Sequence, residues 1–339
     1  MAKLVKLADI AEKLNVSTVT VSKALSGQKG VGEDLRRQIK QMAEQMGYVS
    51  PSAARMQGEK KSYNIGVIVS QKYFNRMQSF YWLMYQELAT KATAKNCFTM
   101  LEVIGEDDEN ENVAPKLLDG DRINGLIVIG EMKQDYLKTI KEVIKVPVVY
   151  LDFYTDDDTD AVINDNYYGM YQLTRYLCDM GHKKIAYVGT LFATDSITDR
   201  YFGYCKALLE NGIETRKDWV INDRYVDCGT VTDYKMTLPK EMPTAFACNC
   251  DVTAMELIKV LEEKGYKVPE DVSVVGFDNY AFQNPKAINL TTYAVDVREM
   301  ARRAIKVIIK KIAGEYYNKG VSIVEGRVII GESVKEIIS

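Results

Sequence analysis

Ser17, Thr18, Thr20 and Ser22 fall within six positions of one another at the start of a short segment with helical apolar spacing. Small hydroxyl side chains near the N-terminus of a helix can hydrogen-bond base edges in a major groove without pushing the helix out of it. The elements that would position them are legible on either side. Leu7-Ala8-Asp9-Ile10-Ala11-Glu12-Lys13-Leu14 has apolar residues at helical spacing, Asn15-Val16-Ser17 interrupts it, and Thr18 to Leu25 begins a second helix. Two short helices joined by a tight turn form the helix-turn-helix pattern, which presents the start of the second helix to a duplex.

Residues for catalysis are sparse. The single histidine, His182, stands between a helical and a strand segment, with no Gly-x-Ser-x-Gly elbow, phosphate loop or metal cluster beside it. A structural role near a helix C-terminus is the expectation for it. Cysteines occur at 97, 178, 205, 228, 248 and 250. Cys248-Asn249-Cys250 would place two sulfurs on one face of a strand, but no second ligand pair accompanies them, so free thiols and no metal or cofactor are expected.

Charge is distributed unevenly. Residues 1–62 hold eleven Lys and Arg against six acids, which leaves the head at +5 and the remainder at −8 within a net charge of −3. A basic module on an acidic body suits a polyanion bound at one end, because clustered cations release counterions there and the body's charge keeps the rest away. The alternative is scatter over a solvated surface. No apolar run approaches the roughly 20 residues of a membrane span, and Met1-Ala2-Lys3-Leu4-Val5-Lys6 lacks a signal-type stretch, so a cytoplasmic location is expected.

The chain divides into three parts by pattern. Glu33 to Met46 reads as a third amphipathic helix closed by Gly47, with Tyr48 and Val49 capping a small core. This gives an all-α head over 1–50. Pro51 to Gly58 is a short helical segment too brief to be stable alone, followed by linker to residue 62. From Tyr63 short apolar strands alternate with amphipathic helices. Strands are expected at Ile65–Val69, Thr99–Val103, Gly125–Ile129, Val146–Leu151, Lys184–Val188, Thr244–Ala247 and Val272–Gly276. That alternation implies an α/β body with doubly wound parallel sheets, and its length favours two subdomains whose strand ends face one cleft. The acidic stretches Glu106–Glu111 and Asp156–Asp160 read as solvated loops.

These motifs, in order and at compatible spacing, resemble the LacI/GalR family of bacterial transcriptional regulators over essentially the whole chain. The resemblance is carried by Leu7–Ala11 with Val16–Leu25, Gly47-Tyr48-Val49, Val162–Gly169, Gly181–Gly189, Arg200–Tyr204, Val268–Asn279 and Leu290-Thr291-Thr292. It implies a body like the periplasmic binding proteins over 63–339, with subdomains of about 63–162 plus 293–323 and 163–292 plus 324–339. It also implies a homodimer on a near-palindromic double-stranded operator, a hinge helix at 51–62, and a small effector, most often a sugar or sugar derivative, that controls a repressor allosterically.

Carried over position by position, the resemblance assigns Thr18, Val19 and Lys23 to base contacts, with Lys6, Ser17, Thr20, Ser22 and Ser26 near bases or phosphate. Val19 has no hydrogen-bonding group and could only meet a thymine methyl or pack. In the hinge, Ala54-Arg55-Met56 is followed by Gln57 where relatives often place a wedging leucine. Either Met56 enters as a softer wedge, or Gln57 accompanies a smaller kink. Arg200 and Asp278 lie at effector-contacting positions, where a guanidinium and a carboxylate can hold vicinal hydroxyls, unless they only pair with each other. Asp152 and Asn249 match further contact positions, and Asp251 is expected to cap the following helix. Tyr73, Phe74 and Tyr225 are candidate aromatic walls with competing core or interface readings. Tyr81 and Trp82 read as packing or dimer surface, with access to the cleft as the other possibility.

Two rival functions share this scaffold. One is a cytoplasmic solute-binding protein, against which the basic head argues. The other is a small-molecule enzyme, against which the poverty of catalytic groups argues.

Overall fold

The computed structural model describes residues 7–26, 28, 30–46, 48, 62–74, 79–226, 234–280 and 288–337. The chain forms two compact units, 1–61 and 62–339. In the first unit, helices α1 (Leu7–Leu14), α2 (Thr18–Leu25) and α3 (Glu33–Gln45) enclose a core of Ile10, Ala11, Val21, Ala24, Ile39 and Ala43. Tyr48 packs against that core as expected. The turn between α1 and α2 depends on Asn15, whose φ of 50° is left-handed, a conformation asparagine tolerates better than most side chains. Gly47, Val49 and the hinge segment lie outside the described residues.

In the second unit, a six-stranded parallel sheet has the order β11-β5-β4-β3-β1-β2. Its strands are β1 (Asn64–Ser70), β2 (Phe98–Ile104), β3 (Gly125–Ile129), β4 (Val148–Leu151), β5 (Asp160–Asn164) and β11 (Val321–Val324). The Gly-Leu-Ile-Val-Ile of β3 is buried throughout, because helices cover both faces. Helices α4 (Phe80–Thr93) and α10 (Val297–Ala313) pack on one face through Met84, Leu88, Met300 and Ile308. Helix α6 (Gln134–Val143) covers the other through Tyr136, Leu137 and Ile140.

A second parallel sheet, β7-β6-β8-β9, comprises β6 (Ile185–Val188), β7 (Val220–Ile221), β8 (Ala245–Cys248) and β9 (Ser273–Val275). Alternation along β6 assigns its faces. Ile185 and Tyr187 meet α7 (Asn166–Asp179) and α8 (Asp195–Glu210), whereas Ala186 and Val188 meet α9 (Asp251–Glu263). The chain crosses between the sheets after β5. It returns through β10 (Thr292–Ala294), which pairs antiparallel with β12 (Arg327–Ile329).

Both acidic stretches keep exposed residues, as expected of solvated loops, but each departs at one buried carboxylate. Glu106–Asn110 is a short helix, α5, and Glu109 is buried, accepting hydrogen bonds from Ser70 Oγ at 2.5 Å and Lys133 N at 2.9 Å. Asp160 begins β5 and accepts from Lys311 Nζ at 2.6 Å, Gly320 N at 2.7 Å and Tyr317 Oη at 3.0 Å. Each carboxylate is satisfied by groups far along the chain, and for that reason it can be buried. No helix among the described residues is long and apolar enough to cross a membrane.

Candidate DNA-reading face and effector cleft

On α2, packing separates two faces. Val21 and Ala24 point into the head's core, while Thr18, Val19, Ser22 and Lys23 are exposed on the opposite side, Val19 by 60 %. The hydroxyls of the expected set are not equally available. Ser17 is the N-cap, accepting from Thr20 N at 3.1 Å, with its Oγ 2.8 Å from the Thr20 hydroxyl. Ser26 closes the helix and donates its hydroxyl to Ser22 O at 2.7 Å. These three side chains are engaged at the helix ends, Ser17 on an amide that would otherwise lack a partner, leaving Thr18, Val19, Ser22 and Lys23 as the free face. Lys6, Ala54, Arg55, Met56 and Gln57 lie outside the described residues.

In the body, the loops after β1, β3 and β4 on one sheet and after β6, β8 and β9 on the other lie at strand carboxyl ends, where doubly wound sheets form their clefts. Asp152 follows β4 with a φ of 70° and Asp278 follows β9 with a φ of 103°, so both acids sit on left-handed backbone that side chains seldom adopt. Asp152 is buried and accepts from Tyr81 Oη at 3.1 Å. Burial pushes its carboxyl up to about 6, against the pull of Arg200 and Tyr81. Tyr73 packs on Tyr81 with ring centroids 4.6 Å apart and donates to Glu131 O at 2.9 Å. Gly130 lies behind both rings, at a φ of 72° and with no room for a Cβ beside them.

Arg200, on α8 and 6 % exposed, is held from several sides. Its Nε donates to Asn166 Oδ1 at 2.9 Å, its Nη1 to Asn249 O at 2.5 Å, and its plane lies 3.8 Å from the Phe277 ring centroid. Nη2 is 3.3 Å from Asp278 Oδ1, an ion-pair distance without hydrogen-bond alignment. That oxygen is shut off from solvent and accepts no hydrogen bond among the described residues. Burial, opposed by Arg200 and aided by Asp152, raises the Asp278 carboxyl to about 7.

Behind this pair lies a closed polar cluster. Arg224 donates to both oxygens of Asp223, to Asn249 Oδ1 at 3.2 Å and to Thr253 Oγ1 at 3.5 Å. Asp223 also accepts from the Thr190 backbone and hydroxyl, Asn249 and Thr253. Although burial opposes ionisation, Arg224, Thr253 and Asn249 hold the Asp223 carboxyl down to about 2.

Several expectations change here. Asn249 is 1 % exposed with its amide fully engaged by Val188 O, Asp223, Thr253 and Arg224, so it reaches the cleft only through the carbonyl that holds Arg200. Asp251 does not cap α9. Cys250 does, accepting from Thr253 N, while Asp251 is the first helical residue and accepts from Thr292 Oγ1 at 2.6 Å and Tyr280 N at 2.8 Å. Gly276 makes space for that carboxylate, because a Cβ there would lie 2.1 Å from Asp251 Oδ1. Burial and then Asp278 raise Asp251 to about 8. Tyr225 is 61 % exposed, turned outward against Tyr234, whereas its neighbour Arg224 points inward. Phe74 packs edge-on against Trp82. His182 is buried between Thr244 Oγ1 at 2.9 Å and Lys335 O at 3.1 Å, a structural position.

Two contacts join the lobes across the cleft and had no signature in the sequence. Glu131, after β3, accepts from Asp195 N at the start of α8 at 3.0 Å, and Phe80 meets Tyr280 edge-on at 6.5 Å. Among the described residues no group of His, Cys, Asp and Glu is arranged to hold a metal.

Comparisons with known proteins bear on both parts. Residues 6–51 match the family described as bacterial regulatory proteins, lacI family, and residues 174–334 match a periplasmic binding protein-like domain. The chain is 25 % identical over 339 residues to the HTH-type transcriptional repressor PurR of Mannheimia succiniciproducens, covering 98 % of this chain and 99 % of that one. Its fold is similar to that of the transcriptional regulator CelR in complex with cellobiose, at a TM-score of 0.67 and 22 % identity, covering 97 % of this chain and 99 % of that one. The lac repressor dimer bound to operator and the anti-inducer ONPF gives a TM-score of 0.66 at 20 % identity, covering 98 % and 100 %. A head that matches the lacI-family model and a body that matches the periplasmic binding protein-like model, in one chain similar to such repressors nearly end to end, mark a DNA-binding transcriptional regulator with a lacI-type head.

Proposed function

We propose that the protein is a cytoplasmic, homodimeric repressor that reads a near-palindromic operator through Thr18, Val19, Ser22 and Lys23, with Lys6 and the Ala54-Arg55-Met56-Gln57 hinge adding contacts. A small effector, a sugar or sugar derivative, controls it from the cleft between the two sheets of the body. The observation that carries this reading is the convergence of Asp152 from one lobe with Arg200 and Asp278 from the other, beside the Tyr73 and Tyr81 rings. Carboxylates and a guanidinium hold hydroxyl rims, and aromatic faces take the apolar side of a pyranose. The cellobiose of CelR and the operator and ONPF of the lac repressor dimer, in proteins of this fold, support a carbohydrate effector and an operator-bound dimer.

The effector acts by its differential affinity for the open and closed body, and the dimer converts that difference into operator affinity. Footprinting on the DNA beside its own gene, with and without a panel of sugars and hypoxanthine, tests the reading. Arg200→Ala is expected to weaken the effector response by 100-fold or more, measured on the fraction that folds and still binds its operator without effector. An unaltered dose response removes Arg200 from the site, and a nucleobase acting where every sugar is inert removes the carbohydrate.

A further inference from the structure

Among the described residues the charges around the cleft do not balance. Asp152 and Asp278 come from opposite lobes and lie close enough to repel one another, and Asp251 stands behind Asp278 and repels it too. All three are buried or nearly so. Among the described residues the cation in direct contact with this group is Arg200; Arg224 acts on Asp278 from farther off and is committed to Asp223. The three guanidinium nitrogens of Arg200 are already directed at Asn166, Asn249 O and Asp278. Asp278 Oδ1, by contrast, is enclosed and accepts no hydrogen bond. The site therefore has acceptors in surplus and its strongest donor already engaged.

Ligand charge is decided by that asymmetry. A phosphate or carboxylate would meet Asp152 and Asp278 and, among the described residues, no uncommitted guanidinium nitrogen, and would push those carboxyls up further. A neutral hydroxyl could donate to Asp278 but would bring no charge that lets both carboxyls ionise together. An ammonium supplies donors and charge together, and the rings of Tyr81, Phe80 and Tyr280 offer both a stacking surface and cation–π attraction. We propose that the effector carries a protonated amine, an amino sugar with a free ammonium seated between Asp152 and Asp278 being the class that fits. This rests on the cleft being the effector site, as proposed above, and narrows the ligand within it. The raised carboxyls of Asp152 and Asp278 fit the same picture, since a bound cation would favour their ionised forms.

The test uses the intact purified protein, with tyrosine and tryptophan fluorescence and thermal shift as readouts. Glucose, galactose and mannose are each titrated beside their 2-amino and 2-acetamido forms and beside glucosamine 6-phosphate. At least one free amine is expected to bind ten-fold or more tightly than its parent sugar and its acetylated form, with the phosphorylated amine weaker again. Asp278→Asn, which keeps the shape and removes the charge, is expected to erase the preference; should that variant not fold, Asp152→Asn serves the same purpose. The inference is overturned if a parent, acetylated or phosphorylated sugar binds as tightly as the free amine. It is equally overturned if no amine binds, or if neither asparagine variant alters the preference. Neutral sugars binding alone would sink the amine and leave the carbohydrate reading standing, whereas silence to every sugar would sink both and leave operator binding to be judged by footprinting.

Discussion

On α2 the residues proposed for DNA are exposed and almost unemployed inside the protein, whereas those at the carboxyl ends of β4, β8 and β9 are buried and tied to one another. Thr18, Val19, Ser22 and Lys23 rest on a helix whose stability comes from its other face and its caps, so their chemistry can change at little cost to folding. Asp152, Arg200, Asn249 and Asp278 have no such independence. Each is a partner of another, two of them on left-handed backbone, and a change at one leaves a buried charge or dipole unanswered at the next. With the roles proposed above, specificity for DNA would be separable from stability in this chain, and specificity for the effector would not.

Three measurements would break or sharpen that contrast. The largest effect is expected from Arg224→Met, which strips Asp223 of its guanidinium while Thr190, Asn249 and Thr253 remain: a loss of about 3–5 kcal/mol in urea unfolding of the body. A loss below about 1 kcal/mol would mean the polar cluster is no more coupled than the head's surface. Next comes pH. Asp251, at about 8, and Asp278, at about 7, bind protons in the folded state that the unfolded chain has already released. Their contribution is full below the unfolded carboxyl range near 4 and is lost as pH rises through 7 to 8, so the melting temperature should fall over that interval. Asp223, held low, acts in the opposite sense and only in more acid solution. Asp251→Asn should flatten the slope whatever its absolute stability, and an unchanged slope would contradict the assignment. The smallest effect on folding belongs to Lys23→Ala: operator affinity down about ten-fold, nonspecific affinity nearly constant, and stability within about 0.5 kcal/mol of the parent. Equal losses on specific and nonspecific DNA would make Lys23 a phosphate contact.

The same contrast governs what the sequence disclosed. In the head, helix spacing, the Asn15 turn and the hydroxyl cluster are local signals, and the three helices form where they were expected. In the body, continuous apolar runs marked strands such as β3 to the residue, while β5, opening on an acid and closing on an asparagine, passed for the end of a loop. What makes Asp160 part of a strand is Lys311, 151 residues away, and no window of sequence holds both. The cleft behaves likewise. Resemblance assigned Arg200, Asp152 and Asp278 to the cleft, where they stand as proposals, but Asn249 turned inward because Asp223 and Arg224 engage its amide, and Asp251 left the cap because Thr292 and Tyr280 N claim it. For Tyr81 the aromatic run at helical spacing left packing and cleft readings side by side, and the Glu131 contact is made with a backbone amide, which leaves no residue type to notice.

That contact between Glu131 and Asp195 N has a mechanical corollary. Asp195 opens the helix that carries Arg200 five residues on, about 7.5 Å along a single rigid rod. If the cleft takes the effector as proposed, a tug at its tip would be felt at the guanidinium, and the strength of one carboxylate-to-amide link would adjust the dose at which the body responds. Each 1.4 kcal/mol added or removed there would shift that set-point about ten-fold, with no atom touching the ligand having changed.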